Sequence, residues 1–114
     1  MGLFGFGKKK NAIISTKLNG SSAKGRQESL RNLQQYHDDL KAYLDCKNGS
    51  IIIQVGKNSS KIVGTVDSKI VRDVCSKYEK TNGLSCDILI GQNYQIVDSD
   101  GVLSCIVRLE IVPK

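Results

Sequence analysis

Near the end of the chain, apolar and polar residues alternate. From Val102 to Val112, Leu103, Cys105, Val107, Leu109 and Ile111 fall on one side and Ser104, Arg108 and Glu110 on the other. A period of two is the mark of a strand with one buried face, and Pro113 stops it. Ala12 to Leu18 reads as a first strand, ended by Asn19-Gly20. Residues 19–25 are Asn, Gly, Ser, Ala and Lys, a loop composition. From Arg26 to about Leu44, the residues Leu30, Leu33, His37, Leu40 and Leu44 recur at steps of three and four. That spacing predicts a helix with one apolar face, on or near which His37 sits as a packed or hydrogen-bonded neutral ring. The end of this helix is open. Tyr43 to Lys47 reads equally well as a strand, because the hairpin pair Asn48-Gly49 follows.

Ser50 to Val55 is β-branched and bounded by Gly56, so it reads as a buried strand. Lys57 to Ser60 is a turn and Lys61 to Val66 the return strand. Asp67 or Ser68 then caps a second helix reaching about Lys80, with Ile70, Val71, Val74, Cys75 and Tyr78 as its buried stripe. Asn82-Gly83 suits a left-handed helix end. Ser85 to Ile90 is another strand. Gln92 to Gly101 is a polar connection whose middle, Tyr94 to Val97, extends as a further strand segment. The order is β-α-β-β-β-α-β-β, or one strand fewer. Short connections favour antiparallel pairing. The fold class is therefore α+β, a mostly antiparallel curved sheet or small open β-barrel with two helices.

Composition adds bounds. The 114 residues are 39% hydrophobic and 25% charged, which suits a single soluble domain over 12–114 preceded by a flexible basic tail at 1–11. No run of about 18 apolar residues is present, so no helical membrane span is expected. The net charge of +6 is concentrated. Lys8, Lys9, Lys10, Lys17, Lys24 and Arg26 stand in the first 26 residues without an acid, and the remaining charges cancel. A basic end of this kind suits phosphate, in nucleic acid or anionic lipid. Leu3, Phe4 and Phe6 beside the three lysines suit weak contact with an anionic membrane surface. The order of charge and apolar residues is wrong for a secretory signal, so a cytoplasmic location is the expectation. Phe6 stands where a myristoylation motif carries Ser or Thr.

Cys46, Cys75, Cys86 and Cys105 form no close pair, so they are read as reduced, apolar packing groups rather than zinc ligands. Asp38-Asp39 falls within the first helix, where neighbours point apart, and Asp98-Asp100 in a turn. Neither has the spacing of a calcium loop. No nucleophile elbow or phosphate-cradling glycine loop occurs. The expectation is a protein without catalysis, cofactor or metal. Lys17, Lys24, Arg26 and Gln27 cluster around the first loop and the start of the first helix, a place suited to phosphate. Tyr36, Tyr43, Tyr78 and Tyr94 offer stacking surfaces or half-buried packing.

Several segments together resemble the HIRAN domain. Thr16-Lys17-Leu18-Asn19-Gly20, then Gly25-Arg26-Gln27-Glu28 and a helix, is similar to the opening of that family. Ile51 to Val55 resembles its central strand, Ile62 to Val66 and the helix after it the next strand and helix, and Ser104 to Leu109 its closing strand. The resemblance spans most of 12–112. It implies a module that holds single-stranded DNA, particularly a 3′ end, with Arg26 as the carried-over contact. The family's asparagine-proline-tyrosine-aspartate loop is replaced here by Asp45-Cys46-Lys47-Asn48-Gly49-Ser50, which keeps an asparagine but neither the tyrosine nor the aspartate that follows it. The functional expectation is a binding module for single-stranded nucleic acid. Its alternative is a protein-interaction module, a small inhibitor or adaptor, with no nucleic-acid role.

Overall fold

The alternating run near the end of the chain becomes the strand on which three others form. In the computed structural model, which describes residues 11–45, 49–56, 61–80 and 83–114, the chain runs β1 (Ala12–Lys17), α1 (Lys24–Tyr36), β2 (Leu40–Asp45), β3 (Ser50–Val55), β4 (Ile62–Thr65), α2 (Ser68–Tyr78), β5 (Glu79–Lys80), β6 (Gly83–Leu84), β7 (Cys86–Gly91), β8 (Tyr94–Ser99) and β9 (Val102–Pro113). β1 lies along one edge of β9, from Ala12 opposite Ile111 to Lys17 opposite Ile106. The other edge is shared. β8 pairs with the first half of β9 and β7 with the second. The sheet then passes from β7 to β2, β3 and β4, antiparallel throughout. It curls into a half-barrel, and with the two helices it makes an α+β fold. β5 and β6 form a separate short pair.

The inward residues of β9 (Leu103, Cys105, Val107, Leu109 and Ile111) are all buried, as the alternation requires. α1 packs Leu30 and Leu33 into the same core beside β4 and β9. α2 brings Val71, Val74 and Tyr78, and Val74 and Tyr78 border a small cavity with Ala12, Ile14 and Ile111. Asp67 opens α2 by accepting the Lys69 N–H at 3.3 Å.

The two ends of the sheet meet at one corner. Asn19, just past β1, exchanges both backbone hydrogen bonds with Thr65 of β4, at 2.8 and 3.0 Å. This approach needs a bare backbone at Gly64. A Cβ there would stand 2.8 Å from Leu18 Cβ and 2.9 Å from the Asn19 carbonyl oxygen, inside any tolerated contact.

Three features differ from the sequence expectation. The first helix stops at Tyr36, and 40–45 is a strand. Leu40 and Leu44 are four apart, a spacing common to a helix face and a strand face. The full pairing of β2 with β3, Leu40 opposite Val55 through Asp45 opposite Ser50, decides between them. His37 is therefore not on a helix face. It is the exposed left-handed residue (φ 53°) that ends α1, its N–H on the Leu33 carbonyl and its ring stacked on Tyr94 at 4.8 Å. Asp38 and Asp39 follow it in the connection, where the Tyr94 hydroxyl and the Gly56 N–H bond to their carbonyls. Second, Tyr94–Ser99 is a full strand, turned back by Asp98, which accepts the Gly101 N–H. Third, α2 ends at Tyr78 and the chain enters β5; Asn82, read as part of a helix end, lies outside the described residues, as do the tail at 1–10, residues 46–48 and the turn at 57–60.

Two predictions come from this packing. Gly64→Ala is expected to destabilise the protein by about 1–3 kcal/mol, because the loop must move off β4; urea denaturation measures it. Burial pushes the Cys105 thiol from an ordinary 9.0 up to about 12. Burial first, then Cys105, Asp38 and Asp39, push the Tyr94 hydroxyl from 10.0 to about 12. The unfolded chain releases these protons at their ordinary pKa values while the native state keeps them, so stability falls as pH rises. The urea midpoint is expected to hold up to about pH 9 and decline from there to about pH 12. Cys105→Ala should flatten the lower part of that decline and Tyr94→Phe the upper part.

Candidate functional site

The chain between β1 and α1 has almost no regular structure, yet it is held on several sides. The Leu18 N–H bonds to the Cys105 carbonyl at 2.9 Å, and Leu18 itself is buried. Ser21 is buried and its hydroxyl donates to the Val63 carbonyl at 2.9 Å. Gly20 takes a positive φ of 74°, and a side chain on it would run into the Arg26 guanidinium.

Gln27 supplies the central clamp. Its Nε2 donates to the Ser21 and Leu103 carbonyls, both at 2.7 Å, and its Oε1 accepts the Leu103 N–H at 2.9 Å. The side-chain amide thus takes the place of a strand residue beside β9, continuing the edge that β1 and Leu18 occupy up to Cys105. Both of its N–H groups are used by the protein. Gln27, expected as a ligand contact, holds the loop and the first turn of α1 to β9.

Arg26 is half-buried. Its Nη1 donates to the Gly20 carbonyl at 3.0 Å, and among the described residues no carboxylate lies within ion-pair distance of it. The guanidinium therefore keeps donors free at the loop that leads into α1. The helix opens with Ala23 as its cap residue and no side-chain cap bond, and its first turn holds no acid. The N–H groups of Lys24 and Gly25 meet no acceptor among the described residues. A Cβ added to Gly25 would meet nothing within 4 Å, so this backbone is open to solvent. Lys17 is exposed at the last position of β1. Lys24 is the first residue of α1, with its side chain outside the described set. Lys17 at the end of β1 and Arg26 with the backbone of Lys24 and Gly25 at the start of α1 thus flank the connecting loop, which Gln27 holds to β9.

One neighbour escaped the sequence reading. Arg108 was assigned to the outer side of its strand by alternation, but its closeness to Lys17 depends on the register of β1 on β9. Lys17 opposes Ile106 and Ser15 opposes Arg108, so Lys17 and Arg108 share a face on adjacent rows. Among the described residues no group of three or more His, Cys, Asp or Glu side chains converges to hold a metal ion. Asp98 and Asp100 belong to the β8–β9 turn.

The clamp can be tested directly. Gln27→Ala leaves the Leu103 N–H without its partner and is expected to cost about 1–3 kcal/mol in urea denaturation. Gln27→Glu should cost at least as much, because it sets a carboxylate oxygen against two carbonyls.

No protein-family model, curated protein or solved structure matches this chain.

Proposed function

We propose that the protein is a non-enzymatic module that holds the phosphate backbone of single-stranded nucleic acid at the corner between β1 and α1. The observation that carries this reading is the Arg26 guanidinium, which has no carboxylate within ion-pair distance among the described residues. Arg26 is held half-buried without a carboxylate, beside an uncapped helix start whose first turn has no acid. Helix N-terminal amides and a fixed guanidinium are both suited to a phosphate oxygen. Lys17 adds a charge at the same end of β1. The resemblance of Gly25-Arg26-Gln27-Glu28 and its flanking strands to HIRAN domains points to the same ligand and to a 3′ end as its preferred part.

A second reading has its own observation. Ile13 and Leu89 are about half exposed, at 48% and 51%, and flank Glu110 on the outer face of the sheet. Such a surface suits a protein partner, with the basic corner incidental.

Fluorescence anisotropy with labelled single-stranded and duplex oligonucleotides separates the two. With two or three phosphates engaged, affinity for the single strand is expected to fall about tenfold between 50 and 200 mM salt. Gly25→Asp is the decisive variant. It removes a helical glycine and adds an acid to the first turn, so it should raise the melting temperature. The same carboxylate should repel phosphate and weaken binding about tenfold or more. Binding that ignores both salt and this substitution overturns the reading, and a stable protein partner surviving nuclease treatment would replace it.

A further inference from the structure

We propose that the outer face of β1 and β9 carries a second phosphate seat, formed by Arg108 with Ser15, Asn93 and Gln95, so that a bound strand runs along β9 from Arg26 past Lys17 to Arg108. This rests on the reading above and adds the path and length of the ligand.

The argument begins with register. Lys17 opposes Ile106 and Ser15 opposes Arg108. Gln27, next to Arg26 in α1, is bonded to Leu103 of the same strand. The start of α1 is thus anchored at position 103 of β9, and two cations, Lys17 and Arg108, share the outer face at positions 106 and 108. Lys17 and Arg108 are diagonal neighbours on one face, about 7 Å apart at their backbones. That is comparable to the step between phosphates in an extended single strand. The distance along β9 from Leu103 to Ile106 is about 10 Å, within the reach of long side chains.

The far end of this line is a shallow, open hollow in the sheet surface. β7 leaves β9 after Leu89, and β8 begins at Tyr94. The turn between them is pinned to β9, because the Arg108 N–H bonds to the Asn93 carbonyl at 2.8 Å and the Asn93 N–H to the Ile90 carbonyl at 3.0 Å. The hollow this leaves, about 210 Å³, is lined by Ser15, Asn93, Gln95, Ile106 and Arg108 with the backbone of Tyr94 and Val107 around it. Its side chains offer one cation, one hydroxyl and two amides, and no acid. Ile106, 38% exposed, lies between Lys17 and Gln95 and gives an apolar surface on which a base or sugar can rest.

Charge marks where the path ends. Glu110 is the next outward residue of β9 beyond Arg108, and Asn11 donates to its Oε2 at 3.0 Å. At the other end, Asp98 lies opposite Leu103 on the far edge of β9, and Asp100 stands in the β8–β9 turn beyond it. Between Glu110 and that turn the outer face of β1 and β9 carries Lys17 and Arg108, and Arg108 makes no ion pair among the described residues. The occupant is therefore a short polyanion of regular spacing. A single anion would need one cation, not the Arg26 corner together with Lys17 and Arg108.

The experiment is a length series of labelled oligothymidylates, from about two to eight nucleotides, against the full chain, Arg108→Gln and Glu110→Gln. Arg108 is exposed and its side chain makes no bond among the described residues, so Arg108→Gln should melt as the wild type does. For the longer strands, losing one phosphate contact should lower affinity about fivefold at 0.1 M salt and make the salt slope shallower by about 0.7. Glu110→Gln should raise affinity for the same strands. A dinucleotide, held at the Arg26 corner, should not distinguish the three proteins. If all lengths bind and Arg108→Gln changes nothing, the seat is wrong and the corner reading stands. If Arg108→Gln weakens the dinucleotide as much as the longer strands, the path is wrong. Absence of binding at every length overturns both.

Discussion

The half-barrel is closed by a few backbone atoms. Asn19 pairs with Thr65 while Leu18 bonds to Cys105 and Gln27 takes the next place on β9, so one stretch of chain is fixed against two strands at once. Each such hydrogen bond contributes about 1 kcal/mol net. Their value here lies in the geometry they impose. A loop of small polar residues would otherwise be free to sample many shapes, and a phosphate would have to order it on binding. Gly64 allows this contact by having no Cβ where Leu18 and Asn19 arrive. The buried Leu18 and Ser21 then seal it.

The same clamp explains how an irregular helix start survives. α1 lacks a capping side chain and has no acid in its first turn. A good N-cap is worth about 1 kcal/mol, and an acid near it a few tenths more. Arg26 and Gln27 anchor the first turn to Gly20, Ser21 and Leu103 instead. Local helix rules are broken at a place that the rest of the structure holds firmly. Such breaks concentrate at binding sites, because an amide already bonded to a cap is not free for a ligand.

How much of this was readable in the sequence depended on the range of the interactions. β9 was plain from its alternation, and α2 from its stripe and Asp67, because both are local patterns with one period. Leu40 and Leu44 fitted two periods, and the pairing of β2 with β3 chose the strand. β8 shows in the sequence only as a strand segment over Tyr94 to Val97 within a polar connection, because Gln95, Asp98 and Ser99 interrupt its apolar pattern. At the site, Lys17 and Arg26 could be placed near one loop from their order alone. The inward turn of Gln27 could not, since its partner Leu103 is 76 residues away. Arg108 was hidden for the same reason. It stands in a stretch whose charges cancel along the chain, and its place beside Lys17 exists once β1 is set against β9.

The charges around α1 run against its dipole at both ends. Lys24 and Arg26 stand in the first turn, where the partial charge is already positive, while Asp38 and Asp39 follow the negative end. Either arrangement costs a few tenths of a kcal/mol at the surface. A protein selected for stability alone would gain by exchanging the signs. Kept as it is, the helix adds its own field to that of Arg26 and Lys17 at one end and to that of the two aspartates at the other. On the proposed reading, a polyanion would be drawn to the start of α1 and kept from its C-terminal end, where Asp38 and Asp39 follow. The unfavourable helix start and the proposed ligand are two halves of one electrostatic arrangement. A bound phosphate would supply the negative charge and the hydrogen-bond acceptor that the sequence withholds from α1. Binding should therefore stabilise the fold most at the segment where the free protein is least favourably built.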